Sequence, residues 1–313
     1  MNPATLIPSL SARQVSSKTI WAIGGGKGGT GKSFISANLA LHLSSQETDV
    51  VLIDADFGGP NLHTFLGMKE TEVDLGHFIT NQVLRLKDTA VITPFKGLSL
   101  VKGTDSLLFT ANLNYYKKLK LIRQIKAFKA KRVIIDIGTG SSYNCTDFFI
   151  LSNPGILVVN PEPTSVENAY YFLKSCVIRI LKIYADYYKI EDLVEKISIQ
   201  IKNNSKSIYS FLSELISHNP YYAEVFYRAL KKFKPCLIIN KARDGKDFVL
   251  GQSISQVVKK YLVIDLDFLG SIPFDDKVHW SLRERSPYIK DFPNSEVSIC
   301  IKSMLKKILD RSQ

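Results

Sequence analysis

Short apolar runs, each broken by glycine, proline or an acid, alternate along this chain with longer segments of helical period. The runs are "TIWAIGG" from Thr19, "DVVLIDAD" from Asp49, "GLSLVKG" from Gly97, "RVIIDIGTG" from Arg132, "GILVVNPEP" from Gly155, "PCLIINK" from Pro235 and "LDFLGSIPFD" from Leu266. Their near-continuous hydrophobicity is that of strands buried on both faces. Between them, "GKSFISANLALHLSS" reads as a helix, and "YYKKLKLIRQIKAF" repeats apolar residues at Leu119, Ile122, Ile125 and Phe128. Strands alternating with helices predict an α/β fold: a doubly wound, mostly parallel sheet flanked by helices.

Two segments depart from that rhythm. From about 184 to 234 no buried strand is evident. "VIRILKIYADYY", "IYSFLSELISHN" and "YYAEVFYRALKKF" read instead as a helical insertion. From Lys174 to Lys234 there are eleven Lys or Arg and six Asp or Glu, with Tyr184, Tyr187, Tyr188, Tyr221, Tyr222 and Tyr227 among them. This insertion is either a cover for the sheet or a docking surface for a protein partner. The last segment, 295–313, puts Val297, Ile301, Met304, Leu305 and Ile308 on one helical face and Lys302, Lys306, Lys307 and Arg311 elsewhere. Such an amphipathic helix suits an anionic membrane surface or the side of a sheet. Residues 1–18, polar and carrying Pro3 and Pro8, read as a loose leader, which leaves 19–294 as one domain.

Composition narrows the class. The 313 residues are 45% hydrophobic and 22% charged, enough for a sizeable core. No apolar run reaches the roughly 18 residues of a membrane span, so a cytoplasmic protein, with the inner membrane as a peripheral site, is expected. The net charge of +12 favours anionic partners: nucleotide, lipid or, less favoured here, nonspecific DNA. Cys145, Cys176, Cys236 and Cys300 contain no CxxC pair, which argues against a zinc or iron–sulfur site built within the chain.

The sharpest feature lies between the first strand and the first helix. Gly26-Lys27-Gly28-Gly29-Thr30-Gly31-Lys32-Ser33 fits GxxxxGK[ST] in full, ahead of Phe34. Glycines turn the backbone so that successive N–H groups face phosphate oxygens, and the helix N-terminus adds positive potential. Lys32 is the residue to reach the β- and γ-phosphates, and the Ser33 hydroxyl is the Mg²⁺ ligand. Acids close two of the following strands: Asp54 and Asp56 in "VLIDAD", and Asp136 in "VIIDIGTG". Asp136 has the apolar lead-in of a Walker B carboxylate. Asp54 and Asp56 share a face if the strand runs regularly through both.

Lys27, inside the glycine run, is one lysine more than a phosphate loop needs. KGGTGKS, with that extra lysine, resembles the deviant Walker A motif of the MinD/ParA family of P-loop ATPases. "VLIDADFGGPNL" resembles the family's switch I region, "VIIDIGTG" its Walker B and switch II region, and "VVNPEPTSVENAY" the strand and helix that follow. "IIN" with Lys241, and "LGSIPFDDKV", resemble the late strands around adenine. The nearest branch is the MinD-like one that includes a flagellar-number regulator. The resemblance implies an ATP/ADP and Mg²⁺ site and an ATP-sandwiched homodimer. In it Lys27 reaches the partner's phosphates, Asp56 orients the attacking water and Asp54 sits near metal-bound waters. Asn240 hydrogen-bonds adenine, and Pro273 lines the base pocket. Thr139, in the place of a small apolar residue, departs from the family pattern, and 1–18 lacks the DQAxxLR-type segment usual in the flagellar regulator.

The expected function is an ATPase that acts as an ATP-dependent dimerisation switch, positioning a partner or cargo at a pole, flagellum, membrane or nucleoid. The alternatives are a metabolic enzyme of the same fold, such as an amide-forming synthetase, and a nonhydrolysing ATP-binding scaffold. The cysteine spacing disfavours an iron–sulfur carrier. A tyrosine autokinase should end in a tyrosine cluster, and the last tyrosine here is Tyr288.

Overall fold

The computed structural model describes residues 19–46, 49–69, 71–104, 113, 115–190 and 207–311. The expected leader therefore lies outside the described residues, as does part of the expected insertion. Each apolar run forms a strand: β1 (Thr19–Gly25), β2 (Val50–Ala55), β4 (Leu98–Val101), β5 (Arg132–Thr139), β6 (Gly155–Val159), β7 (Cys236–Ala242) and β8 (Asp267–Pro273). An unexpected short strand, β3 (Ala90–Ile92), precedes β4 and pairs with it antiparallel. Only a short loop closed by Gly97 at φ +79° separates β3 from β4, too short for the crossover that a parallel pair needs. The sheet has eight strands in the order β3-β4-β2-β5-β1-β6-β7-β8. All other neighbours are parallel, as the buried runs predict.

Alternation along the strands builds two cores. Val51 and Ile53 of β2 face one side, Val50 and Leu52 the other. One core gathers α1 (Lys32–Gln46) and the last helix, α12 (Glu296–Asp310). The other gathers α4 (Tyr115–Ala127), α5 (Tyr143–Leu151), α6 (Pro163–Tyr188) and α9 (Gly245–Leu262). On α4 the buried apolar residues are Leu121, Ile122 and Ile125; Leu119 and Phe128, in the expected repeat, are only partly buried, and Leu121 joins the buried face instead.

The segment read as an insertion divides differently. "VIRILKIYADYY" is the second half of α6, a 26-residue helix that starts with Pro163 at its first turn and ends at Lys189 in the left-handed conformation. The helices α7 (Ile208–His218) and α8 (Pro220–Lys232) follow. Phe211, Leu215, Phe226 and Leu230 are buried in the core they share with α6, so these helices cover the fold. Tyr187 and Tyr221 remain exposed, while Tyr184 is buried.

Of the two surfaces that suit the C-terminal helix, its apolar face occupies the sheet. Val297, Ile301, Met304, Leu305 and Ile308 are each at most 3% exposed, seated on the sheet and α1. Its basic side chains are also engaged: Lys307 donates to the Leu269 carbonyl (2.6 Å) and Arg311 pairs with Asp267 (3.0 Å). The apolar stripe has found the sheet, and a lipid surface would have to displace it. Among the described residues no helix is long and apolar enough to cross a membrane.

Ile308→Ala should therefore cost about 2–4 kcal/mol in urea denaturation. Ile299→Ala, on the exposed side of the same helix, should change stability by less than ~0.5 kcal/mol. A free lipid-binding arm would leave both variants neutral.

Candidate nucleotide site

The phosphate loop leaves the C-terminal end of β1, at the centre of the sheet, and enters α1. Gly31, at φ +95°, turns into the helix, and a Cβ there would lie 2.2 Å from the Asn240 amide nitrogen. That amide donates to the Thr30 carbonyl at 2.7 Å, and Lys241 donates to the Gly29 carbonyl at 2.9 Å. The end of β7 thus holds the loop from the side. Gly26 serves packing: a Cβ there would meet the Asn168 carbonyl of α6 at 2.1 Å.

A cavity of about 610 Å³ opens above the loop. Gly28, Gly29, Gly31, Lys32, Ser33 and Asp56 form its polar end. Phe34, Phe65, Ile272, Pro273, Phe274 and Leu282 form an apolar end. The buried Thr30 hydroxyl has no partner within the protein. Volume, glycine cradle and unsatisfied hydroxyl fit a nucleoside polyphosphate. Asn240 and Pro273 both line the cavity. The motif reading missed Phe65, Phe274 and Leu282, because apolar residues from separate segments carry no local pattern. Arg243 lies over the Phe274 ring at 3.8 Å and stiffens that wall.

Below the loop lies a buried cluster of charge. Asp54 and Asp136 are register partners on adjacent strands, each 1% exposed. Burial raises both carboxyls, Asp136 to about 6, and each also feels other acids. Burial lowers the Lys32 ammonium, and Asp136 and Asp56 partly offset that. Ser36 donates to Asp136 at 2.9 Å, and the Ser33 hydroxyl bonds it too. Among the described residues no group of three or more His, Cys, Asp or Glu forms a metal cage. The donor set fits Mg²⁺ instead, a hard cation that keeps waters and substrate phosphates as ligands. Ser33 and Asp136 stand together at the loop where such an ion would sit.

The structure separates the two acids of "VLIDAD". Strand β2 ends at Ala55, so the regular strand that would put Asp54 and Asp56 on one face stops short. Asp54 turns inward and accepts three backbone N–H groups, from Asp56 (3.2 Å), Asn61 (2.9 Å) and Leu62 (3.1 Å). It staples the 56–62 loop rather than facing the phosphates. Asp56 does line the cavity and accepts the Gly58 N–H at 3.0 Å.

Lys27 stands apart from its own cavity. Its Nζ donates to Glu162 Oε2 at 2.8 Å and to Thr164 Oγ1 at 2.9 Å, at the surface. The hydrogen bond and charge of Lys27 hold the Glu162 carboxyl below the usual range.

A mononucleotide-sized cavity over a phosphate loop, at the carboxyl ends of a parallel sheet, defines a P-loop nucleotide-binding protein. The family model of the CobQ/CobB/MinD/ParA nucleotide binding domain matches residues 21–288, and the chain belongs to that family. It is 23% identical over 292 residues to the antiactivator FleN of Pseudomonas aeruginosa, covering 92% of this chain and 85% of FleN. It is 30% identical over 158 residues to the flagellum site-determining protein YlxH of Helicobacter pylori, covering 49% of this chain and 52% of YlxH. The fold is that of the septum site-determining protein MinD of Pyrococcus horikoshii, solved with Mg-ADP. The TM-score is 0.63 at 18% identity, over 93% of this chain and 96% of that one.

The buried acids make stability depend on pH. Burial favours protonated Asp136 in the fold. Its stabilising contribution is present below the ordinary aspartate value of 3.8 and is lost as pH rises through about 6. In nucleotide-free, EDTA-treated protein, Asp136→Asn should raise stability at pH 7.5 by about 2–3 kcal/mol and flatten the loss between pH 4 and 6. Thermal denaturation across that pH range checks it.

Proposed function

We propose that this protein is a Mg²⁺-dependent ATPase whose ATP-bound form pairs with a second copy of itself and, in that state, positions a partner or cargo. The observation that carries the reading is Lys27. It belongs to the phosphate loop yet lies outside the cavity the loop forms, held at the surface by Glu162 and Thr164. A lysine there serves no phosphate of its own chain. In this reading it meets phosphates presented by another chain, as an arginine finger does.

The remaining roles are our reading of the residues around the loop. Lys32, poised among Asp136 and Asp56, neutralises phosphate charge. Ser33 and Asp136 hold the Mg²⁺, which neutralises charge on the phosphoryl group when bound. Asp56, half-exposed at the cavity, accepts a hydrogen bond from the attacking water and aims it. Asp54 acts one step back, by fixing the loop that carries Asp56. Lys27, supplied by the second copy, stabilises charge that develops in the transition state. Likeness to FleN and YlxH, one named as an antiactivator and the other as flagellum site-determining, supports a positioning role, with the flagellum as the leading cargo. Asp56 at the cavity, and Lys27 held at the surface outside it, favour this over the nonhydrolysing scaffold.

Light scattering tests the switch. With saturating ATP and Mg²⁺, Asp56→Ala should run as a dimer, and with ADP as a monomer; a monomer in both states refutes the pairing. Lys27→Ala should bind a fluorescent ATP analogue within about twofold of wild type while its turnover falls 10²-fold or more. Unchanged turnover would remove Lys27 from the reaction.

A further inference from the structure

One wall of the nucleotide cavity is a single piece of chain outside the sheet. It runs from the end of β8 through α10 (Lys277–Arg283) to α11 (Tyr288–Asp291). Asp275, and Val278 and Leu282 of α10, line the cavity from it. The two α10 residues stand four apart and share a helical face. Helices of seven and four residues have little order of their own. Tertiary ties must hold this wall.

One edge rests on α2 (Leu62–Phe65), whose Phe65 also lines the cavity. Just past that helix, Gly67 lies at φ +63°, and a Cβ there would stand 2.5 Å from the Arg285 carbonyl. Backbone meets backbone at this edge. The other edge is tied to α1 by two consecutive residues. Tyr288, 1% exposed, sets its ring edge-on to Phe34, with centroids 5.5 Å apart. Its hydroxyl donates to Asp275 Oδ2 at 2.5 Å, while Asp275 Oδ1 accepts the Lys277 N–H at 2.8 Å. Next along, the Ile289 N–H donates to Asn38 Oδ1 at 3.0 Å, and Asn38 Nδ2 donates to the Phe34 carbonyl at 2.7 Å. Burial, and the bond to Asp275, push the Tyr288 phenol up to about 12, so it stays a donor at neutral pH. Tyr288 is not itself in the cavity lining; it touches Phe34 and Asp275, which are.

We infer that Tyr288 is a positioning residue for nucleotide. It keys the wall that receives the nucleoside to the helix that starts at the phosphate loop. The cavity is thereby formed before the ligand arrives. Without the bond to Asp275 the wall must be ordered on binding, and that ordering is subtracted from affinity. The loss falls on the nucleoside, because the phosphates meet the loop and Lys32. The inference rests on a nucleotide whose nucleoside lies at the apolar end of the cavity, and not on the pairing of two copies.

Calorimetric titration of the full chain with Mg-ADP reads this. In the function proposed above, ADP leaves the chain unpaired, so binding is measured apart from pairing. Mg-pyrophosphate presents two linked phosphates without the nucleoside. Tyr288→Phe keeps the ring against Phe34 and removes only the hydroxyl. It should weaken ADP about tenfold and pyrophosphate less than about twofold. Asp275→Ala removes the acceptor, and in that background Tyr288→Phe should cost ADP less than about twofold. Ile308→Ala, buried in the same core but outside the cavity lining, should lower the melting temperature and leave ADP affinity within about twofold. A Tyr288 with a structural role alone would behave as Ile308 does. Wild-type ADP affinity in Tyr288→Phe overturns the inference. So do equal losses of ADP and pyrophosphate, or the full tenfold cost in the Asp275→Ala background. Where pyrophosphate is too weak to titrate, the coupling with Asp275 decides. A chain that shows this ADP pattern yet fails to pair in ATP sinks the switch alone.

Discussion

The buried charge beneath the phosphate loop is the constraint around which this molecule is arranged. Asp54, Asp136 and Lys32 lie at the carboxyl ends of the central strands, each nearly inaccessible to water. Charges in such a place are costly unless paired and hydrogen-bonded. The protein meets part of that cost with Ser33 and Ser36 on Asp136 and three backbone N–H groups on Asp54. What is left is a raised pair of carboxyls and a lowered ammonium, an imbalance that nucleotide phosphates and a divalent cation relieve on arrival.

From that cluster, connections run outward to each moving part. Asp54 fixes the loop that bears Asp56. Asp136 lies on the strand that continues to Thr139 at the cavity. The end of β7 clamps the phosphate loop through Asn240 and Lys241. Lys27 is the exception: it points away from the cluster, to Glu162 and Thr164.

The phosphate loop was legible because its chemistry is local: seven consecutive peptide units must turn, so their residues stand together in the chain. The strands were legible for a similar reason, since burial on both faces leaves an unbroken apolar run. The apolar half of the cavity was not, because Phe65, Phe274 and Leu282 come from segments that meet only after folding. Nor was the division of labour between Asp54 and Asp56. Two acids one residue apart look equivalent until the strand ends between them and turns one inward. The clasp on Lys27 was equally hidden, although "NPEPTS" was visible, because the two partners lie 135 residues apart.

The amino-acid order by itself determined the class of this protein: a parallel α/β sheet, a phosphate loop with a second lysine, and acids at the ends of two strands. Those features depend on neighbours in the chain, through turn geometry and the burial of consecutive residues. Tertiary structure decided what each surface faces. The amphipathic helix at 296–310 had a stripe equally suited to lipid or protein, and the open flank beside α1 and β8 claimed it. A side chain's neighbours across space, and the water they exclude, set whether a charge is a ligand, a staple or an open hand, and linear order does not record them.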